Sequence, residues 1–346
     1  MNPRAGSKPA YSLSRGAPSA SWVLLHTMPL EYDIIVSGGC QQKVFSFAQY
    51  PIVRLFFNAG TKGLKYIAGF LIIEANHTIA EEKTMSIIGF IGTGNMGSAL
   101  ARAAAKSDRV EQLLLANRSP EKAEKLAAEL GGKLVSNREL AAQAEVLFLA
   151  VKPQYLLQMF SGIRDVLDAR LDRFVLVSMV AGWSLERLKQ ELGEYPFVRI
   201  MPDIPAAVGA GVTLVCPGED ITAEETSLVK DLLSGSGLVS ELDEKQLDAA
   251  NGVTGCGPAF AAMFCEALAD GAVACGLPRQ KALEYAAMMM KGSAELLLKE
   301  GMHPAVLKDR VCSPGGSTIQ GVRKLEESGF RAAVMNAVIA TYEKKF

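Results

Sequence analysis

A parallel α/β domain followed by an all-helical segment is the fold class this sequence predicts, and three observations carry it. A short apolar run, three glycines and an alanine-rich pattern follow one another at residues 86–105. Short β-rich runs then alternate with helical patterns, and beyond about Glu241 the strand signals stop and helical patterns broken at Gly and Pro take over. The 346 residues suffice for two domains and an added segment. The divisions expected are an extension over 1–84, a dinucleotide-binding domain over 85–243 and a helical domain over 244–346.

The chain up to Met28 is rich in Ser, Pro and Gly, carries Arg4, Lys8 and Arg15 without an acidic residue, and lacks the apolar core of a secretory signal. The apolar run at 66–73 is far shorter than the roughly 20 residues a bilayer requires. Met85 stands directly before the first strand of the α/β pattern. It reads as the natural start, with residues 1–84 an over-extended, poorly ordered segment.

Ser86 to Ile91 reads as a strand, Gly92-Thr93-Gly94-Asn95-Met96-Gly97 as a tight turn, and the Ala-rich stretch to Ala105 as a helix. The three glycines serve separate needs. Gly92 lets the chain turn, Gly94 lets backbone approach a pyrophosphate, and Gly97 lets the helix pack closely on the strand. A pyrophosphate then rests on the free N–H groups and the positive end of the helix. This defines a Rossmann-type NAD(P)-binding domain.

The second strand, at 112–116, runs into Asn117-Arg118-Ser119-Pro120, with a helix from about Glu121 to Leu130. Where NAD-binding chains place an acidic residue for the ribose 2′-hydroxyl, this one has Asn117, Arg118 and Ser119. Arg118 offers charge-assisted hydrogen bonds to a 2′-phosphate and Ser119 a hydroxyl, so NADPH is favoured over NADH. Further strands at 146–151 and 174–179 end in Lys152-Pro153-Gln154 and Val180-Ala181-Gly182, where parallel sheets bind ligands. A strand-like run at 197–205, broken by Pro202 and Pro205, is expected to close over the nicotinamide.

The helical part breaks at 255–258, 276–278, 301–304 and 313–316. Ala286-Ala287-Met288-Met289-Met290 is apolar nearly all round, and a domain of about 100 residues has too little interior to cover it. Burial against a second subunit is the expectation.

Composition narrows the partners. The net charge of −1 leaves no electrostatic footprint for nucleic acid or an anionic membrane, so a small-molecule substrate is expected. Six cysteines without a C-x-x-C pair, beside three histidines, argue against a zinc site or a disulfide framework and suit a reducing, cytoplasmic setting.

Reduction of a carbonyl needs a proton donor for the forming alkoxide. His303 is the one histidine after residue 84, and it sits in a loop beside a proline. A substrate that arrives protonated, such as an iminium, removes that need. Ser313-Pro314-Gly315-Gly316-Ser317-Thr318 opens a helix with two glycines and several hydroxyls, a backbone anion site suited to a carboxylate, with Ser313 and Thr318 in reach of that group or of a ring nitrogen beside it.

Five segments together, 89–97, 149–153, 181–182, 255–260 and 313–318, resemble in order and spacing the pyrroline-5-carboxylate reductases, with Leu307-Lys308-Asp309 and Glu327-Ser328-Gly329-Phe330-Arg331 around the last. The resemblance runs from Met85 to about Tyr342. It implies reduction of L-1-pyrroline-5-carboxylate to L-proline with NADPH, or at times NADH. It also implies a homodimer interlocked through the helical domain, in some members a ring of dimers, with each active site drawing on two chains. By position, the glycine turn, Asn117 to Ser119, Asn137, Val151, Lys152, Pro153, Ala181 and Gly182 would hold cofactor. Thr318 would bond the pyrroline nitrogen, Gly315, Gly316, Ser317 and Thr318 the carboxylate through their backbone, and Glu244 would lie near the substrate.

Three residues depart from the family pattern: Asp203 stands where Asn is common, Cys256 where Ser is, and Phe260 where Tyr is. Two other readings stay open, the second of them on Asp203 and Cys256. One is a β-hydroxyacid dehydrogenase type, for which Lys291 would be the proton-handling lysine; the other is an NADP-binding regulator.

Overall fold

The computed structural model of the chain describes residues 86–343 and, before them, four short strands. Residues 1–81 and 82–346 form separate units. In the first, β1 (Trp22–Leu24) pairs antiparallel with β4 (Leu55–Phe57), and β2 (Ile34–Gly38) with β3 (Gln41–Phe45). The expectation of disorder over 1–84 otherwise lies outside the described residues.

The second unit is built on one eight-stranded sheet. Its strands are β5 (Ser86–Ile91), β6 (Val110–Ala116), β7 (Lys133–Leu134), β8 (Val146–Leu149), β9 (Val175–Ser178), β10 (Phe197–Pro202), β11 (Gly211–Pro217) and β12 (Gly237–Glu241). The spatial order is β12-β11-β10-β9-β8-β5-β6-β7, parallel from β7 through β10, with β11 antiparallel to β10 and β12 parallel to β11. The chain therefore starts in the middle, at β5, works outward through β6 and β7, and crosses back to β8. That reversal puts a crevice between the carboxyl ends of β5 and β8.

Alternation along each strand feeds two cores. Ile88, Phe90, Leu113, Leu115, Val146, Phe148, Val175, Val177, Val198 and Ile200 face one side. Ile91, Leu114, Leu147, Leu149, Leu176 and Phe197 face the other. A sheet covered on both faces explains why its strands read as unbroken apolar runs. The aligned rings of Phe90 and Phe148, 4.3 Å apart and parallel, join β5 to β8. Each such fully buried ring or leucine stabilises the fold by about 1.5–3 kcal/mol.

Helices α1 (Asn95–Ala104), α2 (Pro120–Leu130) and α7 (Ala223–Leu233) pack on the first face, and α3 (Asn137–Gln143), α4 (Pro153–Ser161), α5 (Arg164–Asp168) and α6 (Leu185–Leu192) on the second. Gly89 lets α3 approach β5: a Cβ there would lie 2.3 Å from Leu140 Cδ2.

Three expected strands end early, β9 by a single residue, at Ser178. β8 stops at Leu149, before the turn that leads into Pro153. β10 stops at Pro202, because Asp203 accepts a hydrogen bond from the Ala206 N–H and caps a 3-10 turn over Ile204–Val208. Strands β7, β11 and β12 go beyond the sequence-based expectation, although Val212-Thr213-Leu214-Val215 carries the β-branched signature.

The helical part comprises α8 (Glu244–Thr254), α9 (Gly257–Ala274), α10 (Arg279–Glu300), α11 (Pro304–Val311), α12 (Ser317–Glu327) and α13 (Phe330–Glu343), divided at the four expected breaks and at a fifth, unexpected one at Ser328-Gly329. Leu247 of α8 is its anchor on the sheet domain, packed with Leu214 and Cys216. Few of its other residues are buried in the single chain, while Met263 is 68%, Met288 64% and Leu298 83% exposed.

Candidate cofactor and substrate site

The glycine turn lies at the crevice between β5 and β8. Gly92 has φ +107°, and a Cβ on it would meet Ala150 O at 2.3 Å; one on Gly97 would meet Gly92 O at 2.1 Å. Gly94 has nothing within 4 Å of the same added atom. Two glycines are thus required by the chain itself. The third leaves open space in front of α1.

That helix begins without a side-chain cap and without an acidic residue in its first turn. Its leading N–H groups and positive end therefore face the opening. Thr93, 3% exposed, has a hydroxyl with no hydrogen-bond partner. A buried polar atom left unpaired beside an open, electropositive turn fits a bound diphosphate. The residues present fit a dinucleotide.

The neighbouring loops converge on this turn. Gly92 N–H donates to Ala116 O at 2.8 Å, and Thr93 N–H to Asn117 Oδ1 at 3.3 Å, which ties the end of β6 to it. Arg118 and Ser119 follow, exposed, and the Ser119 hydroxyl does not cap α2. Asn137 opens α3 at the same edge, and Val151, Lys152 and Pro153 lead from β8 into α4. Ala181 and Gly182 follow β9, where Gly182 takes φ +75°. The cofactor residues expected from sequence line one edge of the sheet.

The expected substrate residues lie elsewhere in the chain. Ser313, Gly315, Ser317 and Thr318 are exposed at the start of α12, which packs on α13. Gly315 takes φ +70°, and α12 begins without a side-chain cap. Among the described residues, no hydrogen bond joins this segment to the glycine turn.

Glu244 sits at the junction of the two domains. Its Oε1 accepts from Leu185 N–H and from Arg199 Nη1, both at 2.8 Å, while Arg199 Nη2 reaches Asp248 at 3.0 Å. Sequence reasoning missed Arg199; its signal is a lone cation inside the apolar strand Phe197-Val198-Arg199-Ile200. Glu244 also borders a cleft of about 730 Å³ with Leu185, Cys216 and Glu241. Burial, assisted by the Glu244 charge, pushes the Cys216 thiol up to about 11.

The departures from the family pattern also find places. The Asp203 carboxylate, expected near the nicotinamide, is turned into its own hairpin: it is 6% exposed, and burial raises its pKa. Cys256 precedes α9 half-buried. Lys291 is exposed on α10, and His303 caps α11, its Nδ1 accepting from Ala305 N–H at 3.2 Å. Among the described residues, no group of His, Cys, Asp and Glu could hold a metal ion.

Fold and site together define an NADP-dependent oxidoreductase with a helical second domain. Residues 87–182 match the family model described as NADP oxidoreductase coenzyme F420-dependent, and residues 244–345 the model for pyrroline-5-carboxylate reductase dimerisation. Among curated relatives, the pyrroline-5-carboxylate reductase of Escherichia coli is 41% identical over 261 residues, which covers 74% of this chain and 96% of the relative. That of Arabidopsis thaliana is 37% identical over 260 residues, covering 74% and 93%. A crystal structure of the Plasmodium falciparum pyrroline carboxylate reductase with NADP bound superposes with a TM-score of 0.66 at 32% identity, over 75% of this chain and 97% of that one. The chain belongs to the pyrroline-5-carboxylate reductase family.

Proposed function

We propose that this chain reduces L-1-pyrroline-5-carboxylate to L-proline, with NADPH as the preferred donor and NADH as a second one. The observation that carries the reading is family membership over both domains, in a chain whose glycine turn keeps open space in front of Gly94 and an unpaired Thr93 hydroxyl beside it. Bound, the cofactor supplies a hydride from the nicotinamide C4 to the C=N carbon.

The protein's own work is positioning. The α1 N-terminus and the turn at 92–97 hold the diphosphate, and Arg118 and Ser119 hold the 2′-phosphate. Backbone N–H groups from Gly315 to Thr318 hold the substrate carboxylate, and the Thr318 hydroxyl accepts from the protonated ring nitrogen. An iminium already carries its proton, so no acid side chain is required. In this reading Glu244 acts on the site through the Arg199 and Leu185 contacts it makes.

The exposed apolar faces of α9, α10 and α13 support a homodimer, with the α12 segment of one chain completing the cofactor edge of the other and dimers open to assembly into rings. The stretch Glu244–Ala274 is long and apolar enough to cross a membrane by length and composition. We assign its first part, α8, to docking on the sheet domain and its second, α9, to the dimer surface of a cytoplasmic enzyme without membrane or nucleic-acid partners.

Removal of the Thr318 hydroxyl is the test. A hydrogen bond to a charged group contributes about 1.5–3 kcal/mol, so Thr318→Val is expected to lower kcat/KM for pyrroline-5-carboxylate by roughly 10- to 100-fold while NADPH binding is kept. An undiminished rate would remove Thr318 from the substrate site. Absence of turnover in the unmodified chain, with NADPH bound, would overturn the reaction itself.

A further inference from the structure

We propose that Tyr155 is a specificity-determining positioning residue, which sets the preference for NADPH over NADH by holding the Arg118 guanidinium against its ring at the 2′-phosphate position. The inference rests on the cofactor reading above and adds a residue to it.

The two side chains come from different loops at the same edge of the sheet. Arg118 follows β6, Tyr155 is the third residue of α4 after β8, and β5 with its glycine turn lies between those strands. The Arg118 guanidinium carbon stands 4.7 Å from the centre of the Tyr155 ring, within cation–π range. The ring has a fixed base: Tyr155 N–H donates to Lys152 O at 2.9 Å, and Pro153 opens the helix. The tyrosine responds electrostatically, its pKa lowered first by a hydrogen bond from Arg118, then by the Arg118 charge, with smaller contributions from Lys152 and Gln154.

Geometry gives the contact its function. A guanidinium held over the ring has five N–H groups; the Tyr155 hydroxyl engages one, and those left on the outer side can bind a phosphate in bidentate fashion. An arginine on an exposed turn otherwise samples many rotamers, all of which must be surrendered when a phosphate is bound. Tyr155 restrains them beforehand. NADH has no 2′-phosphate, so it gains nothing from the restraint.

The test compares Tyr155→Leu, Tyr155→Phe and the unmodified chain for dissociation constants of NADPH and NADH and of the fragments 2′,5′-ADP and 5′-AMP, with steady-state turnover in parallel. Tyr155→Leu is expected to weaken NADPH and 2′,5′-ADP about two- to fivefold, the range of one exposed cation–π contact, and to leave NADH and 5′-AMP as they were. Its effect on turnover should fall on the KM for NADPH rather than on kcat. Tyr155→Phe keeps the ring face and should restore most of the preference. Equal weakening of all four ligands, or an unmoved NADPH to NADH ratio, overturns the proposal, and a loss in Tyr155→Phe as large as in Tyr155→Leu assigns the effect to the hydroxyl and overturns the stacking account. The fragment constants need no substrate, so they stand apart from any failure to turn over pyrroline-5-carboxylate.

Discussion

Three glycines in one turn answer to three different constraints, and their substitution should separate them. Alanine at Gly97 would place its Cβ 2.1 Å from Gly92 O, a backbone atom that cannot swing aside. Gly97→Ala is therefore expected to cost about 1–3 kcal/mol in denaturant unfolding. At Gly94 the added methyl meets no protein atom within 4 Å, so stability should stay within about 0.5 kcal/mol while the NADPH dissociation constant rises roughly tenfold or more. Destabilisation of the Gly94 variant equal to that of Gly97→Ala would show that the space in front of α1 is not kept for a ligand. Tyr195 supplies a residue-scale prediction of another kind. Desolvation, followed by its hydrogen bond to Asp168, pushes its phenol up to about 12. The folded state holds that proton more tightly than the unfolded state, whose tyrosine titrates near 10. The stabilisation is present below about pH 10 and is lost as pH rises towards 12. Alkaline unfolding followed at fixed denaturant should show that loss, and Tyr195→Phe should remove its part of it.

At the scale of the element, α8 is the joint between the two domains, and charge as well as apolar packing holds it. Arg199 is 4% exposed on β10 with its Nε unpaired, and it bridges to Glu244 and Asp248 one turn apart on α8. The carboxylates are far more open than the arginine, which limits the Coulombic gain through solvent screening. Arg199→Met fills the same volume and releases both carboxylates towards solvent. The expected cost is about 1–3 kcal/mol, read as a shift in the denaturation midpoint, with the α8 contacts loosening first in hydrogen exchange. No shift would make the triad a surface pairing with no part in domain docking. Boundaries of elements were legible wherever local chemistry sets them. Gly and Pro mark every break among α8 to α12, and a proline opens α2, α4 and α9. The Asp203 turn was not legible, since whether a carboxylate faces a ligand or caps its own hairpin depends on where β11 returns.

Across the whole molecule, the helical domain displays far more apolar surface than a monomer in water retains. Met263 and Met335, together with Met288 and Leu298, stand open on α9, α10 and α13, in the segment that matches a dimerisation model. Met288→Glu would place a charge in the covered face, at a desolvation cost of several kcal/mol per buried ion. Sedimentation should then show single chains at micromolar concentration that still bind NADPH and no longer turn over substrate. A variant that stays dimeric and fully active would take Met288 out of the interface.

The sequence by itself determined the opening strand, glycine turn and helix of the dinucleotide domain, the strands that lead to Asn117, Lys152 and Val180, and the choice of Arg118 and Ser119 where an acidic residue would select NAD. These are local properties, written in residue type and spacing because backbone conformation and phosphate recognition act over a few residues. The tertiary structure decided what depends on distant segments meeting. It alone showed the reversal of strand order that puts Thr93, Asn117 and Ala150 around one opening, the antiparallel return of β11, and the bond of Glu244 to Arg199. The stacking of Arg118 on Tyr155 belongs there too, because the two side chains are far apart in sequence and only a parallel sheet brings them within 4.7 Å.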